Sequence, residues 1–218
     1  MLTPAQLATV GLGCKWNVNK IHIPQPLPMA TPPLPAWSRV TGAQRVTGGN
    51  LIYGSCVPTA CCNAVVNAEA RKGHLIRVPN SEALRVYSAV TGFNPDDPAT
   101  DQGTDPEVMW QWWQNNEIAG YKLKSALPID PQNEAVLRKA IEVFPAVAIV
   151  MALALEQQNQ VAFMPVGTPG SWGYHCTAND GFDGSYTWGS SWGHAQAMDR
   201  SFVSDPARVV AAWGLELI

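Results

Sequence analysis

A run of small and apolar residues at helical spacing begins directly on a cysteine. Val57, Ala60, Cys61, Ala64, Val65 and Ala68 recur with the period of one helix face. Gly54-Ser55-Cys56 stands at the N-terminal end of that run. Pro58 falls in the first turn, where a missing backbone donor costs little. A helix N-terminus concentrates unpaired amides and the positive end of the macrodipole, so a thiol placed there is favoured as thiolate. The chain must therefore bury a helix while leaving its first residue usable.

The residues around Cys56 extend this reading. Asn50, six positions upstream, can offer a side-chain amide to negative charge developing on a carbonyl oxygen, alongside the N–H of Cys56. Its neighbours Gly48-Gly49 equally suit a turn. Far downstream, His175 is followed by Ser190-Ser191-Trp192-Gly193. Asp183-Gly184 is a two-residue hairpin signal between strands expected over 174–182 and 185–191. Antiparallel pairing across it brings His175 opposite the region of Ser190 to Trp192. Cysteine, imidazole and an orienting group in that order are the layout of nucleophilic acyl transfer.

Other elements follow from local signals. A second helix is expected from a Ser81 cap through Leu84 and Tyr87, and a third from Asp105-Pro106 through Met109, Trp112 and Trp113. A fourth is expected over 132–143, with Val136, Leu137, Ala140 and Ile141 as its stripe. Residues 146–152 form an apolar strand and 208–217 a closing one. Helices first and sheet last is an α+β order. The acidic residues Asp96, Asp97, Asp101 and Asp105 lack calcium-loop spacing and read as a solvated loop.

Residues 1–48 differ from the rest. Thr3-Pro4 suits a short helix start, and 21–37 carries Pro24, Pro26, Pro28, Pro32, Pro33 and Pro35. That density dictates an extended path with few backbone donors. The expected organisation is an N-terminal proline-rich arm over 1–48 and a compact domain over 49–218.

Composition narrows the partners. Only 14% of the 218 residues are charged, against a typical ~25%, so much of the surface is uncharged. The net charge of −3 gives no electrostatic reason to bind nucleic acid or an anionic membrane. Five cysteines in irregular positions describe neither a disulfide framework nor a zinc site, and no phosphate-binding glycine loop is present. No metal or cofactor is expected, and no secretion signal opens the chain. Synthesis in a reducing cytosol is the expectation.

The spacing Asn50-Leu51-Ile52-Tyr53-Gly54-Ser55-Cys56, then His175, then Ser190-Ser191-Trp192-Gly193 resembles the papain-like cysteine peptidase superfamily. That family carries Q-x-x-x-G-S-C, a histidine and N-S-W-G. The likeness covers roughly 46–218. It implies an α+β fold with the cysteine-bearing helix against an antiparallel sheet. It also implies Cys56 as nucleophile, His175 as general base and acid, Asn50 in the oxyanion site and Ser190 orienting His175. Asn50 replaces the family glutamine and Ser190 the family asparagine. A register placing Tyr186 in the asparagine's position is set aside, because the hairpin and the distance from His175 favour Ser190. A closer likeness is to uncharacterised bacteriophage papain-like proteins. It rests on Gly49-Asn50 through Cys56-Val57, on Tyr87 through Pro95, on Thr100 through Thr104, on the Trp-rich Trp110 through Trp113, and on Trp192 through Met198. It implies either a hydrolase of peptide or amide bonds, or a catalytically relaxed protein that binds virion proteins, made in the host cytoplasm and able to oligomerise.

Overall fold

The computed structural model describes residues 13–17, 19, 24, 25, 27 and 43–218. The Thr3-Pro4 start and most of the proline-rich run lie outside the described residues. Helix α1 spans Cys56–Arg71, α2 Asn80–Thr91 and α3 Pro106–Asn115. Strand β1 (Leu123–Ile129), helix α4 (Glu134–Val143), and strands β2 (Ala146–Leu153) and β3 (Ala162–Phe163) follow. Then come β4 (Gly173–Phe182), β5 (Tyr186–Ser191), β6 (His194–Asp199), the short α5 (Arg200–Val203) and β7 (Val209–Leu217). The strands form one seven-stranded sheet in the order β1-β7-β2-β4-β5-β6-β3. β3 runs parallel to β6, and the other neighbours are antiparallel. The fold is α+β, with the helix that begins at Cys56 laid on the sheet.

Capping accounts for most helix starts. Asp105 accepts from the amides of Glu107 and Val108, with Pro106 at the first helical position, as the sequence predicts. Asn133 accepts from Val136 and sets the start of α4. Helix α2 departs from expectation: it begins at Asn80 behind Pro79 with no side-chain cap. Asn80 instead turns its Oδ1 to the amides of Thr47 and Gly48, which ties α2 to the turn before Cys56.

The sheet is buried on both faces. Ala146, Ala148, Val150, Cys176, Ala178, Ala211 and Trp213 pack against α1. Val147, Ile149, Met151, Phe182 and Ala212 pack beneath α4 and α5. Every residue of β2 is buried, so this strand reads as a continuous apolar run rather than an alternation. Helix α1 is enclosed on all sides, and Cys62 and Asn63, off the predicted stripe, are as buried as the stripe itself. Asn63 is satisfied by pairing with the backbone of Val46, accepting from its N–H at 2.8 Å and donating to its carbonyl at 3.1 Å.

Two irregularities in the sheet place the site. The first is a bulge in β4: Phe182 pairs with Thr187 and Gly181 with Trp188, but Asn179 pairs with Gly189 and Ala178 with Ser190. An extra residue in one strand moves later side chains to the opposite face relative to the partner. The second is the turn joining β5 to β6. Trp192 and Gly193 both have positive φ, 48° and 79°, which suits a two-residue hairpin of the primed type. A bulky residue there is costly, on the order of 1–3 kcal/mol.

Candidate active site

Cys56 opens α1 and is 1% exposed. The backbone amides of Cys176, Gly13, Val57 and Cys56 itself point at its sulfur and favour the thiolate, but burial outweighs them and pushes the thiol up to about 11. In this closed arrangement Cys56 is a protonated thiol, contrary to the thiolate that its helix position alone predicts. The reason is the cover above it.

That cover is the arm. The Thr104 amide donates to the Gly13 carbonyl at 2.7 Å, the Lys15 amide to the Thr104 carbonyl at 3.0 Å, and the Cys14 amide to the Tyr174 carbonyl at 3.3 Å. Trp16 meets the edge of Trp213, with ring centroids 6.0 Å apart. Residues 13–16 thus form an extended strap between the 101–104 loop and the start of β4. Further along, the Gln25 amide donates to the carbonyl of Pro128 at the outer edge of the sheet.

The wall under the strap is braced from behind. The Gly54 amide donates to both carboxylate oxygens of Asp101, at 3.0 and 3.2 Å. Tyr87, fully buried in α2, donates to Asp101 at 2.6 Å and accepts from the Gly103 amide at 2.7 Å. Asp101 is therefore a structural acceptor and not part of a solvated loop, and Asp105 is a helix cap. Both were legible only as charges in a polar stretch. Their roles needed the partners' positions.

His175 is fully buried in β4. Its Nε2 lies 2.7 Å from the Ser191 hydroxyl. Its ring stacks on Trp192 at 4.6 Å and 12°. Its Nδ1 has no hydrogen-bond partner among the described residues. Burial alone drives the imidazole down to about 3, so it is neutral here. The hydroxyl that meets the ring is that of Ser191, whereas the sequence points to Ser190. The bulge in β4 turns Ser190 to the α1 face with Ala178 and leaves Ser191 on the His175 face. Ser190 instead accepts from Arg45 Nε at 2.9 Å, and Arg45 also binds the buried Asp180 at 3.2 Å.

Asn50 is 1% exposed on the turn before α1, and its Oδ1 has no hydrogen-bond partner among the described residues. That turn is tied to the helix by Ser55, whose hydroxyl donates to the Gly48 carbonyl at 2.8 Å. It also abuts the second hairpin, since a Cβ on Gly193 would meet the Thr47 hydroxyl at 2.5 Å. The structure thus gathers these elements into one region. Cys56 and His175 share no hydrogen bond, nor do Asn50 and Cys56, among the described residues. Cys56 lies on the α1 face of the sheet and His175 on the opposite face, and only the β4 backbone joins them: the Cys176 amide, next to His175, points at the Cys56 sulfur. No cluster of described residues could hold a metal ion, and no described helix is long and apolar enough to cross a membrane.

The architecture is that of papain-like cysteine proteases. It resembles xylellain, a cysteine protease from Xylella fastidiosa, at 14% identity and a TM-score of 0.54, over 95% of this chain and 96% of that one. It also resembles the Carica candamarcensis cysteine protease CMS1MS2 in complex with E-64, at 18% identity and a TM-score of 0.53, over 81% of this chain and 93% of that one. At such identities the likeness is one of fold. No family model matches the sequence, and no curated protein matches it.

Proposed function

We propose that the chain is a cysteine hydrolase of peptide or amide bonds, held closed by its own N-terminal strap. The observation that carries this reading is His175, anchored through Nε2 to Ser191 with a buried, unpartnered Nδ1, on the strand whose next amide points at Cys56. With the strap displaced, water and substrate replace the cover, and the burial that keeps the thiol and the imidazole neutral is relieved. His175 faces away from α1 across β4, so the start of β4 must also turn before Nδ1 can take the thiol proton and the sulfur attack the carbonyl carbon. The oxyanion is received by the Cys56 N–H and the Asn50 amide. His175 returns the proton to the leaving amine, and water, deprotonated by the same ring, hydrolyses the thioester. In the closed arrangement Trp192 covers one face of the imidazole.

The inhibitor carried by the plant neighbour provides a test. Incubation with E-64 should add one inhibitor mass at Cys56, read by intact mass and peptide mapping. Labelling should be faster in Lys15→Pro, which removes the amide that holds the strap to Thr104. Cys56→Ala should remain unlabelled. An opened variant that leaves Cys56 unmodified would count against the hydrolase.

A second reading has its own support. Ser190 is taken up by Arg45, which also binds Asp180, and Cys56 makes no hydrogen bond to His175 among the described residues, as in a fold whose chemistry has relaxed. Under that reading the protein is made in a phage-infected host and incorporated into the particle through its arm. The phage lineage rests on the sequence motifs alone. Virion incorporation that survives Cys56→Ala, with no hydrolysis by any variant, is its expected signature.

A further inference from the structure

The strap is held by backbone, and one of its residues fits only as glycine. An ideal Cβ on Gly13 would lie 1.9 Å from the Gly54 oxygen and 2.0 Å from its carbonyl carbon and Cα. From the other side, a Cβ on Gly103 would lie 2.3 Å from the Gly13 oxygen, and one on Gly54 would lie 2.9 Å from the Gly13 Cα. Three glycine backbones therefore meet beside Cys56. The walls cannot recede, because Asp101 holds the Gly54 amide and Tyr87 holds the Gly103 amide from behind. The flanking positions do not share this restriction. Lys15 is exposed and Cys14 has a buried site of its own.

The pairing of Gly13 and Lys15 with both polar groups of Thr104 is a short parallel ladder. Such a ladder recognises extended backbone of any sequence, and the side chains that fit decide selectivity. A substrate entering this groove has to pass between the same two glycine walls.

We infer that the groove between Gly54 and Gly103 is a peptide subsite selective for glycine, and that Gly13 is its resident occupant. This deepens the hydrolase reading and rests on it, since it assigns the groove beside the nucleophile to substrate. A peptide with glycine at the position over Gly54 binds extended. Alanine there overlaps backbone by more than 1 Å and is excluded.

The test uses protection of Cys56 rather than turnover. Two full-length variants open the groove by different means: Gly13→Ala by collision, and Lys15→Pro by removing a donor while leaving both walls untouched. Folding of each is checked by circular dichroism and thermal melting. In both, Cys56 should alkylate with iodoacetamide at least tenfold faster than in the unaltered chain. Unchanged protection in both, with the fold intact, overturns the proposal.

A synthetic peptide of residues 11–17, with serine in place of Cys14, is then added at millimolar concentration, comparable to the effective concentration of a tethered segment. It should slow alkylation of the opened variants about tenfold, whereas the same peptide with alanine in place of Gly13 should not. Equal protection by both peptides overturns the glycine selectivity. Protection by neither overturns the subsite itself. In either case E-64 labelling reports separately on whether Cys56 is a nucleophile.

Discussion

Ser190 and Ser191 carry the same hydroxyl one residue apart, yet they belong to different networks. Ser191 fixes His175 and Ser190 closes the Arg45–Asp180 pair. The sequence points to the region opposite His175 but not to the face, because face depends on the bulge at 179–181. Ser191→Ala should leave Nε2 without a partner and destabilise the protein by about 1–3 kcal/mol, with a shift of the imidazole 15N resonances. Ser190→Ala should leave those resonances in place. Arg45→Ala removes the ion-pair partner seen at the fully buried Asp180, and losing one partner of a buried pair costs roughly 3–5 kcal/mol. A lower urea midpoint with an unchanged slope is the expected measurement.

At the scale of elements, the parts with strong local signals are those the sequence shows. The α1 run, the Asp105-Pro106 cap, the α4 stripe, the hairpin around Asp183-Gly184 and the strands at 146–153 and 209–217 all have periodicity or turn chemistry of their own. β1 was not legible: it contains Pro128, and it is an outer strand of the sheet, where proline is tolerated. β6 was not legible either, because its turn places a tryptophan at positive φ, a choice that local propensity argues against. The stacking of that indole on His175 supplies the reason for the strain. Cys56, His175 and Asn50 were visible from spacing, whereas Asp101, Tyr87, Arg45 and Ser191 act through partners 14 to 145 residues away. Gly189→Ala tests the bulge directly. Its Cβ would meet the Asn179 side chain at 2.4 Å, so β4 and β5 should loosen. Faster amide exchange at 187–191 is the expected result.

For the whole molecule, burial of the site sets a pH window. His175 titrates at about 3 when folded and near 6.5 when unfolded. Between those values the unfolded chain binds the extra proton, so the stability present above pH 6.5 is lost as pH falls toward 3. The slope from this group approaches about 1.4 kcal/mol per pH unit. Cys56 is shifted the other way, from 9.0 to about 11. The unfolded thiol therefore ionises first, and stability declines as pH rises through 9. Urea midpoints should be highest between about pH 6.5 and 9, and His175→Gln should flatten the acid limb.

The strap has a further consequence in time. Gly13 and Cys14 need Thr104 and Tyr174, and Trp16 needs Trp213, near the far end of the chain. On a ribosome adding ~5–20 residues per second, roughly ten to forty seconds separate the synthesis of Trp16 from that of Trp213. Once residue 56 is made, its thiol waits for Thr104 and then Tyr174 before the strap can close over it, and Trp16 waits longer still for Trp213. The strap, made before every strand it binds, is therefore complete only when Trp213 of β7 has emerged.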